Sequence, residues 1–166
     1  MISLADLEAC TPAELEVLYA QERPVSAPTG LWHGTYLGML DTPGARDPFF
    51  RVVCYLGWEL SPFGIDFDTR LWFFVNPKLQ VGRFDTVVGK SRWRDTETVR
   101  LHYQASRLPA PVRNVLYDEV KPLSENLCLG LGGVNARRGQ GDRFWFALTR
   151  SVGGCSEVSY QQKPKS

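Results

Sequence analysis

Short strand-like segments follow one another from residue 30 to residue 150, and this pattern constrains the fold more than any other feature of the sequence. About eight segments are rich in β-branched and aromatic residues or alternate in polarity, and turn-forming residues separate them. They are GLWHGTYLGML, FFRVVCYLGWEL, TRLWFFV, QVGRFDTVVG, SRWRDTETVRLHY, RNVLYDEV, NLCLGLGGV and DRFWFALTR. Closure removes the exposed edges of so many consecutive strands, so the pattern predicts a mainly β protein with a single antiparallel up-and-down β-barrel. A two-sheet sandwich is the alternative.

Two helix-start signals precede these strands. Ser3 can cap a short turn, and the sequence TPAE at 11–14 matches a capping box with proline at the first helical position. The second helix is expected to end near Gln21, because a proline-containing segment follows it. The predicted organisation is therefore an N-terminal helical segment at 1–24, a β-barrel domain at 25–151 and a polar tail at 152–166.

Composition excludes several classes of partner. Lys plus Arg number 19 and Asp plus Glu number 18, so no charge excess points to nucleic acid. No apolar run approaches the ~20 residues of a membrane span. The N-terminus carries no basic region typical of a secretory signal. The 4 cysteines lack metal-ligand spacing and are expected to be reduced. The sequence thus predicts a cytoplasmic protein with no metal site.

The first strand combines glycine with aromatic residues in an unusual way. If Trp32 faces inward, alternation along the strand places Tyr36 and the positions of Gly34 and Gly38 on the same inner face. Two interpretations stay open for these glycines. They can leave volume for a ligand beside the aromatic rings, or they can only relieve crowding where the strand bends.

The same alternation yields a set of inward-facing aromatic side chains along the chain. With one arginine from the last strand, they are predicted to line a mostly apolar cavity in the barrel lumen. The predicted ligand-binding residues are Trp32, Tyr36, Trp58, Phe84, Tyr103, Tyr117, Phe146 and Arg150.

The GLWHG segment has the form G-x-W-x-G at the start of the first strand and resembles the opening motif of calycin-type barrels. These comprise the lipocalins, the fatty-acid-binding proteins and the nitrobindin-like haem barrels. In lipocalins an arginine from the last strand covers this tryptophan, so the resemblance implies a contact between Trp32 and Arg150. Nitrobindin-like barrels bind haem through a late histidine, but no histidine follows His102 here. No cofactor is therefore expected.

The C-terminal part of the sequence is similar to the end of the bacterial GXWXG proteins. Both have Tyr-Asp, a nearby proline, Leu-Gly and a final aromatic strand ending in Leu-x-Arg. The similarity implies architecture alone, because that family has no established chemistry. The matched positions are Gly30, Trp32, Gly34, Tyr117, Asp118, Pro122, Leu129, Gly130, Phe146, Leu148 and Arg150.

Three functions remain open from the sequence. The first is binding of a small hydrophobic or aromatic metabolite in the lumen. The second is a cofactor-independent isomerase or cyclase of specialised metabolism that positions its substrate in the same lumen. Its candidate catalytic residues are Tyr36, Tyr117, Arg150 and His33. The third is a solid barrel that binds a protein partner through the N-terminal helix or through an outer face, where Tyr55, Trp72 or Trp145 would form an exposed apolar patch.

Overall fold

The structure, a computed structural model, describes residues 2–54, 63–74, 80–106 and 108–150. The helices in these ranges are α1 (Leu4–Ala9), α2 (Pro12–Ala20), α3 (Pro48–Cys54) and α4 (Ala110–Val115), and a 3₁₀ turn spans Pro43–Arg46. The strands are β1 (Leu31–Met39), β2 (Phe63–Asp66), β3 (Leu71–Phe74), β4 (Gln80–Arg83), β5 (Asp85–Lys90), β6 (Glu97–His102), β7 (Leu116–Ser124), β8 (Leu127–Val134) and β9 (Asp142–Arg150).

All nine strands belong to one antiparallel sheet that curls into a nearly closed barrel. The hydrogen-bonded order is β4-β3-β2-β1-β9-β8-β7-β6-β5. Its two edge strands, β4 and β5, are separated in sequence by Phe84 alone, so the edges of the sheet meet there. The Phe84 N–H donates to the carbonyl of Arg70, with an N···O distance of 3.0 Å. The predicted mainly β, up-and-down barrel is confirmed, with nine strands rather than about eight.

One predicted strand is wrong over its described part. The segment FFRVVCYLGWEL was assigned to a strand, but Pro48–Cys54 is helix α3, and residues 55–60 lie outside the described ranges. Proline occupies the first helical position, and the carboxylate of Asp47 accepts a hydrogen bond from the Phe50 N–H at 3.3 Å. This local cap outweighs the β propensity of the valine and phenylalanine residues.

Other boundaries differ because of short-range backbone effects. The segment at 80–89 contains two strands that meet at Phe84, and the segment at 113–120 begins in helix α4 before continuing as β7. Pro109 is the N-cap residue of α4, and Pro111 lies in the first turn, where its fixed φ angle suits the helix. Strand β2, which is four residues long, is not among the predicted strands.

Two hydrophobic clusters lie on opposite faces of the sheet. The interior cluster includes Trp32, Phe63, Ile65, Phe84, Val99, Leu101, Tyr103, Val120, Phe144, Phe146 and Leu148. The outer cluster includes Leu7, Leu15, Tyr19, Trp93, Tyr117, Leu129, Leu131, Trp145 and Ala147. The outer cluster contains α1 and α2 residues, so the N-terminal helices cover the outside of strands β7 to β9.

Both predicted helix caps are confirmed, and the helices are anchored by a buried polar network. Ser3 and Thr11 each form a capping box with the acidic residue three positions later. On the sheet, the Tyr19 hydroxyl donates to Glu119 Oε2 at 2.9 Å. Lys121 Nζ donates to the carbonyl of Tyr19 at 2.7 Å, near the end of α2. Burial lowers the pKa of Lys121 to about 8. These contacts pair the buried polar groups across the interface.

The aromatic residues assigned to an exposed outer patch are placed differently. Trp145 is 0% exposed, and its ring lies 5.4 Å from that of Tyr19 in an edge-to-face contact. Trp72 packs against the interior cluster, and Tyr55 lies outside the described residues. The outward orientation predicted for Trp72 is therefore wrong, and helix α2 covers Trp145.

Glycines in the barrel wall pair with aromatic residues on neighbouring strands. Gly34 lies opposite Phe63, Gly130 opposite Phe146, and Gly132 opposite Phe144. A Cβ atom added at any of these glycines would overlap the facing ring. The space beside Gly34 is therefore occupied by the Phe63 ring of the next strand and does not contribute to a ligand cavity.

No helix in the described ranges has the length and apolar character needed to cross a membrane.

Candidate ligand-binding site

An apolar cavity of about 200 Å³ lies inside the barrel. Strands β2, β3, β7 and β9 contribute to its walls, together with Tyr103, Leu108 and Val112 of α4. Its lining residues are Phe63, Ile65, Trp72, Tyr103, Leu108, Val112, Leu116, Asp118, Phe144 and Phe146. Val112 on α4 is 44% exposed, so this helix lies at the boundary between the cavity and solvent.

The cavity walls are built by the pairing of rings with glycines. Phe144 and Phe146 alternate inward along β9, and their ring centroids are 5.9 Å apart. The Phe63 ring meets that of Phe146 edge-to-face at 6.1 Å. Since each ring also covers a glycine on the adjacent strand, the rings are held by direct packing. The cavity therefore has a preformed aromatic wall.

One half-buried acidic side chain faces this apolar space. Asp118 lies opposite Leu101 of β6 and Gly132 of β8 in the sheet, on the interior face. The Tyr103 hydroxyl donates a hydrogen bond to Asp118 Oδ2. The other oxygen, Oδ1, is buried and has no side-chain hydrogen-bond partner among the described residues, but the backbone N–H of Gly133 on β8 interacts with the carboxyl group. A Cβ atom at Gly132 would come within 2.7 Å of Oδ1, so glycine provides the room for this oxygen.

The apolar surroundings change the protonation of this pair. Burial raises the pKa of Asp118 to about 7, and hydrogen bonds from the Tyr103 hydroxyl and the Gly133 backbone N–H offset part of that shift. Burial also raises the pKa of Tyr103 well above its ordinary value, and the charge of Asp118 adds to the effect. Asp118 therefore changes between a donor-bearing acid and an accepting carboxylate near neutral pH, while Tyr103 stays protonated.

Several predicted ligand-binding residues lie at or near this cavity. Tyr103 and Phe146 line it directly. Trp32 and Phe84 belong to the same interior cluster without lining the cavity. The ring of Tyr36 packs on that of Phe144, with centroids 6.2 Å apart.

Tyr117 is on the opposite face of the sheet from the one predicted. Its ring packs edge-to-face on Trp93 at 5.1 Å and on His102 at 5.3 Å, outside the barrel. Trp58 lies outside the described residues.

Arg150 lies opposite Trp32 in the pairing of β1 with β9, at the end of the last strand. Its guanidinium donates to Thr29 Oγ1 at 3.2 Å, and the Trp32 indole N–H donates to the Thr29 carbonyl at 2.9 Å. The two residues are therefore connected through Thr29. Arg150 is exposed and does not line the cavity.

The four catalytic candidates are not brought together. Tyr36 packs inside the barrel, Tyr117 packs outside it, and His33 is exposed on β1 opposite Thr149 of β9. Arg150 lies at the exposed end of the last strand. These positions form no common site.

The most informative residue of the cavity, Asp118, was not among the predicted site residues. The signal for its orientation lies in β7, where Leu116, Asp118 and Val120 share one face and Tyr117 shares the other with two charged residues. No comparable sequence pattern indicates that Trp72 faces inward or that Leu108 and Val112 line the cavity. These positions depend on how the chain folds over the barrel.

No protein-family model and no curated protein matches the sequence. Among solved structures, the chain is similar to a protein from Thermomonospora curvata. The match has 19% sequence identity and a TM-score of 0.48, and it covers 89% of this chain and 95% of that one. At this level of similarity nothing is transferred from that protein to this chain.

Proposed function

We propose that the chain is a cytoplasmic, calycin-type barrel that binds a small hydrophobic or aromatic metabolite in its lumen. The observation that supports this function best is the apolar cavity of about 200 Å³ with the hydrogen-bonded pair Tyr103 and Asp118 in its described wall. Binding sites for small molecules commonly combine apolar walls with a few placed polar groups.

The size of the cavity limits the ligand. A dry apolar cavity of about 150 Å³ is large enough to hold benzene. The cavity here is about 200 Å³, which favours one aromatic ring with a short polar substituent. The probe 4-fluoroacetophenone has this composition, and its fluorine makes binding directly observable by ¹⁹F NMR.

Filling the cavity from α4 should prevent binding without disturbing the barrel. Val112 lines the cavity, whereas Val115 on the same helix is 50% exposed and is not a lining residue. Val112→Trp should weaken the binding of 4-fluoroacetophenone by about 10-fold or more, because the new side chain competes for the same volume. The measurement is a ¹⁹F NMR titration. Val115→Trp is the matched control and should bind like the original protein; equal affinities for both variants would argue against this cavity.

A second function, a cofactor-independent isomerase, is favoured by one observation. A carboxylate with a pKa of about 7 in an apolar cavity is suited to remove a proton from the carbon beside a carbonyl group. In that step the C–H bond breaks, its electron pair forms an enolate, and the proton moves to the Asp118 carboxylate. In D₂O the carboxyl proton is replaced by a solvent deuteron, and transfer of that deuteron to the enolate carbon completes the exchange and restores the carboxylate. If this reaction occurs, the methyl protons of 4-fluoroacetophenone should be replaced by deuterium in D₂O, as followed by ¹H NMR. Exchange at the same rate with Asp118→Asn would exclude this role.

A further inference from the structure

We propose that the cavity selects neutral aromatic carbonyl compounds, which accept a hydrogen bond from the protonated carboxyl group of Asp118, so that ligand binding is coupled to uptake of one proton. This inference rests on the proposed binding function. It specifies the class of ligand and the dependence of binding at that same site on pH.

The arrangement of Tyr103 and Asp118 supports the inference that the Asp118 carboxyl group donates a hydrogen bond to the ligand. The Tyr103 hydroxyl already donates to Oδ2 of Asp118, so this hydroxyl proton is engaged within the pair. Asp118 lines the cavity, and in the described part of the chain its carboxyl group is contacted by the Tyr103 hydroxyl and the Gly133 backbone N–H, with no side-chain partner at Oδ1. When protonated, the carboxyl group gains one O–H donor, and a carbonyl oxygen in the cavity is a matching acceptor.

The charges around Asp118 favour a neutral ligand. Within the described ranges, no lysine, arginine or histidine lines the cavity. A carboxylate-bearing ligand would therefore place a second negative charge beside Asp118 with no cation to compensate it. An ammonium-bearing ligand would require both its own charge and that of Asp118 to be desolvated in an apolar cavity. A carbonyl compound bound to the neutral acid leaves no charge in the cavity.

Among the described groups packed around the cavity, Asp118 is the one expected to change its protonation near neutral pH. Tyr103 is the titratable group that faces it from the end of β6, and its pKa lies well above the ordinary value for tyrosine. The neighbouring Glu119 lies on the outer face, where it accepts from the Tyr19 hydroxyl, and its charge adds slightly to the shift at Asp118. The remaining lining side chains from β2, β3, β9 and the α4 segment carry no charge.

The decisive measurement is the affinity for 4-fluoroacetophenone at pH 5.5 and pH 8.5, by ¹⁹F NMR titration. This probe does not titrate in the range, so a change in affinity reports on the protein. With a pKa of about 7 for Asp118 and binding by the acid form alone, the affinity should be about 30-fold weaker at pH 8.5. Asp118→Asn keeps a donor that does not titrate, so its affinity should be the same at both pH values.

A second variant tests whether the hydrogen bond between Tyr103 and Asp118 sets the pH at which the ligand affinity changes. The Tyr103 hydrogen bond lowers the pKa of Asp118, so Tyr103→Phe should move the midpoint of the affinity change to higher pH. A purely structural role of Tyr103 would reduce affinity without moving the midpoint.

Several outcomes would overturn the proposal. Affinity that is equal at both pH values in the original protein would show binding without proton coupling, and the proposed binding function would still stand. Tighter binding of 4-fluorobenzylamine than of 4-fluoroacetophenone, with affinity rising toward pH 8.5, would identify a cation site instead. Tighter binding of 4-fluorobenzoate would contradict the selection against anions. If none of the three probes bound at either pH value, both this inference and the proposed binding function would fail.

Discussion

Replacing Trp145 with alanine should lower the free energy of unfolding by about 3–5 kcal/mol. Trp145 lies on the outer face of β9 and is completely buried beneath helix α2. Its removal would leave a cavity between the sheet and the helix and would delete the edge-to-face contact with Tyr19. Tyr19 also donates to Glu119, so the loss of packing would reach the buried polar network that anchors α2.

Equilibrium denaturation in urea, followed by circular dichroism, measures this effect. Trp145→Phe keeps an aromatic ring and should lose substantially less stability than Trp145→Ala. Val17→Ala is the matched control on the exposed side of α2, where Val17 is 63% exposed, and it should change stability by about 0.5 kcal/mol or less. A loss of less than about 1 kcal/mol for Trp145→Ala would mean that the helices do not form part of the cooperative fold.

The free energy of unfolding of Asp118→Asn, measured relative to that of the original protein, should be higher at pH 8 than at pH 5. The folded-state pKa of Asp118 is about 7, above the ordinary value of 3.8. The folded protein therefore holds this proton more tightly than the unfolded chain does. The stability that neutral Asp118 contributes is fully present below the pKa of this group in the unfolded chain. It is lost as the pH rises through the pKa of the group in the folded protein.

The difference between the two proteins isolates Asp118 from all other titrating groups. Between pH 5 and pH 8 the original protein should lose about 2–3 kcal/mol relative to Asp118→Asn, since the slope between the two pKa values is about 1.4 kcal/mol per pH unit. Urea denaturation at the two pH values provides the measurement. Asp41→Asn changes an exposed carboxylate and serves as the control. A constant difference between the original protein and Asp118→Asn would show that the carboxyl group is ionised in the folded state throughout this range.

Local signals predicted the parts of this protein whose structure is determined nearby in the chain. The capping boxes at Ser3 and Thr11 mark helices that form as expected, because their hydrogen bonds lie within four residues. The inward orientation predicted for Tyr103 agrees with its place in the interior cluster, where it is joined by Val99 and Leu101 of β6. Even the wrong strand at Pro48–Cys54 has a local cause, the cap provided by Asp47.

Alternation failed where both faces of a strand are buried. On β7 the interior face carries Asp118 and the outer face carries Tyr117, whose aromatic character suggested the opposite orientation. The reason is that α1 and α2 cover the outside of β7 to β9, so apolar residues occupy both sides of these strands. Nothing in the strand itself distinguishes the lumen from the face beneath the helices.

Periodicity and capping were sufficient to predict a mainly β, antiparallel barrel preceded by two capped helices, because both are properties of neighbouring residues. The packing of those helices, the inner face of β7 and the filling of the space at the glycines by rings from adjacent strands were established by the tertiary structure. It also brought Tyr103 and Asp118 together in an apolar cavity and so raised the pKa of the carboxyl group. Burial and cross-strand contact depend on residues far apart in the chain, and this is why the candidate site emerged from the fold rather than from a motif.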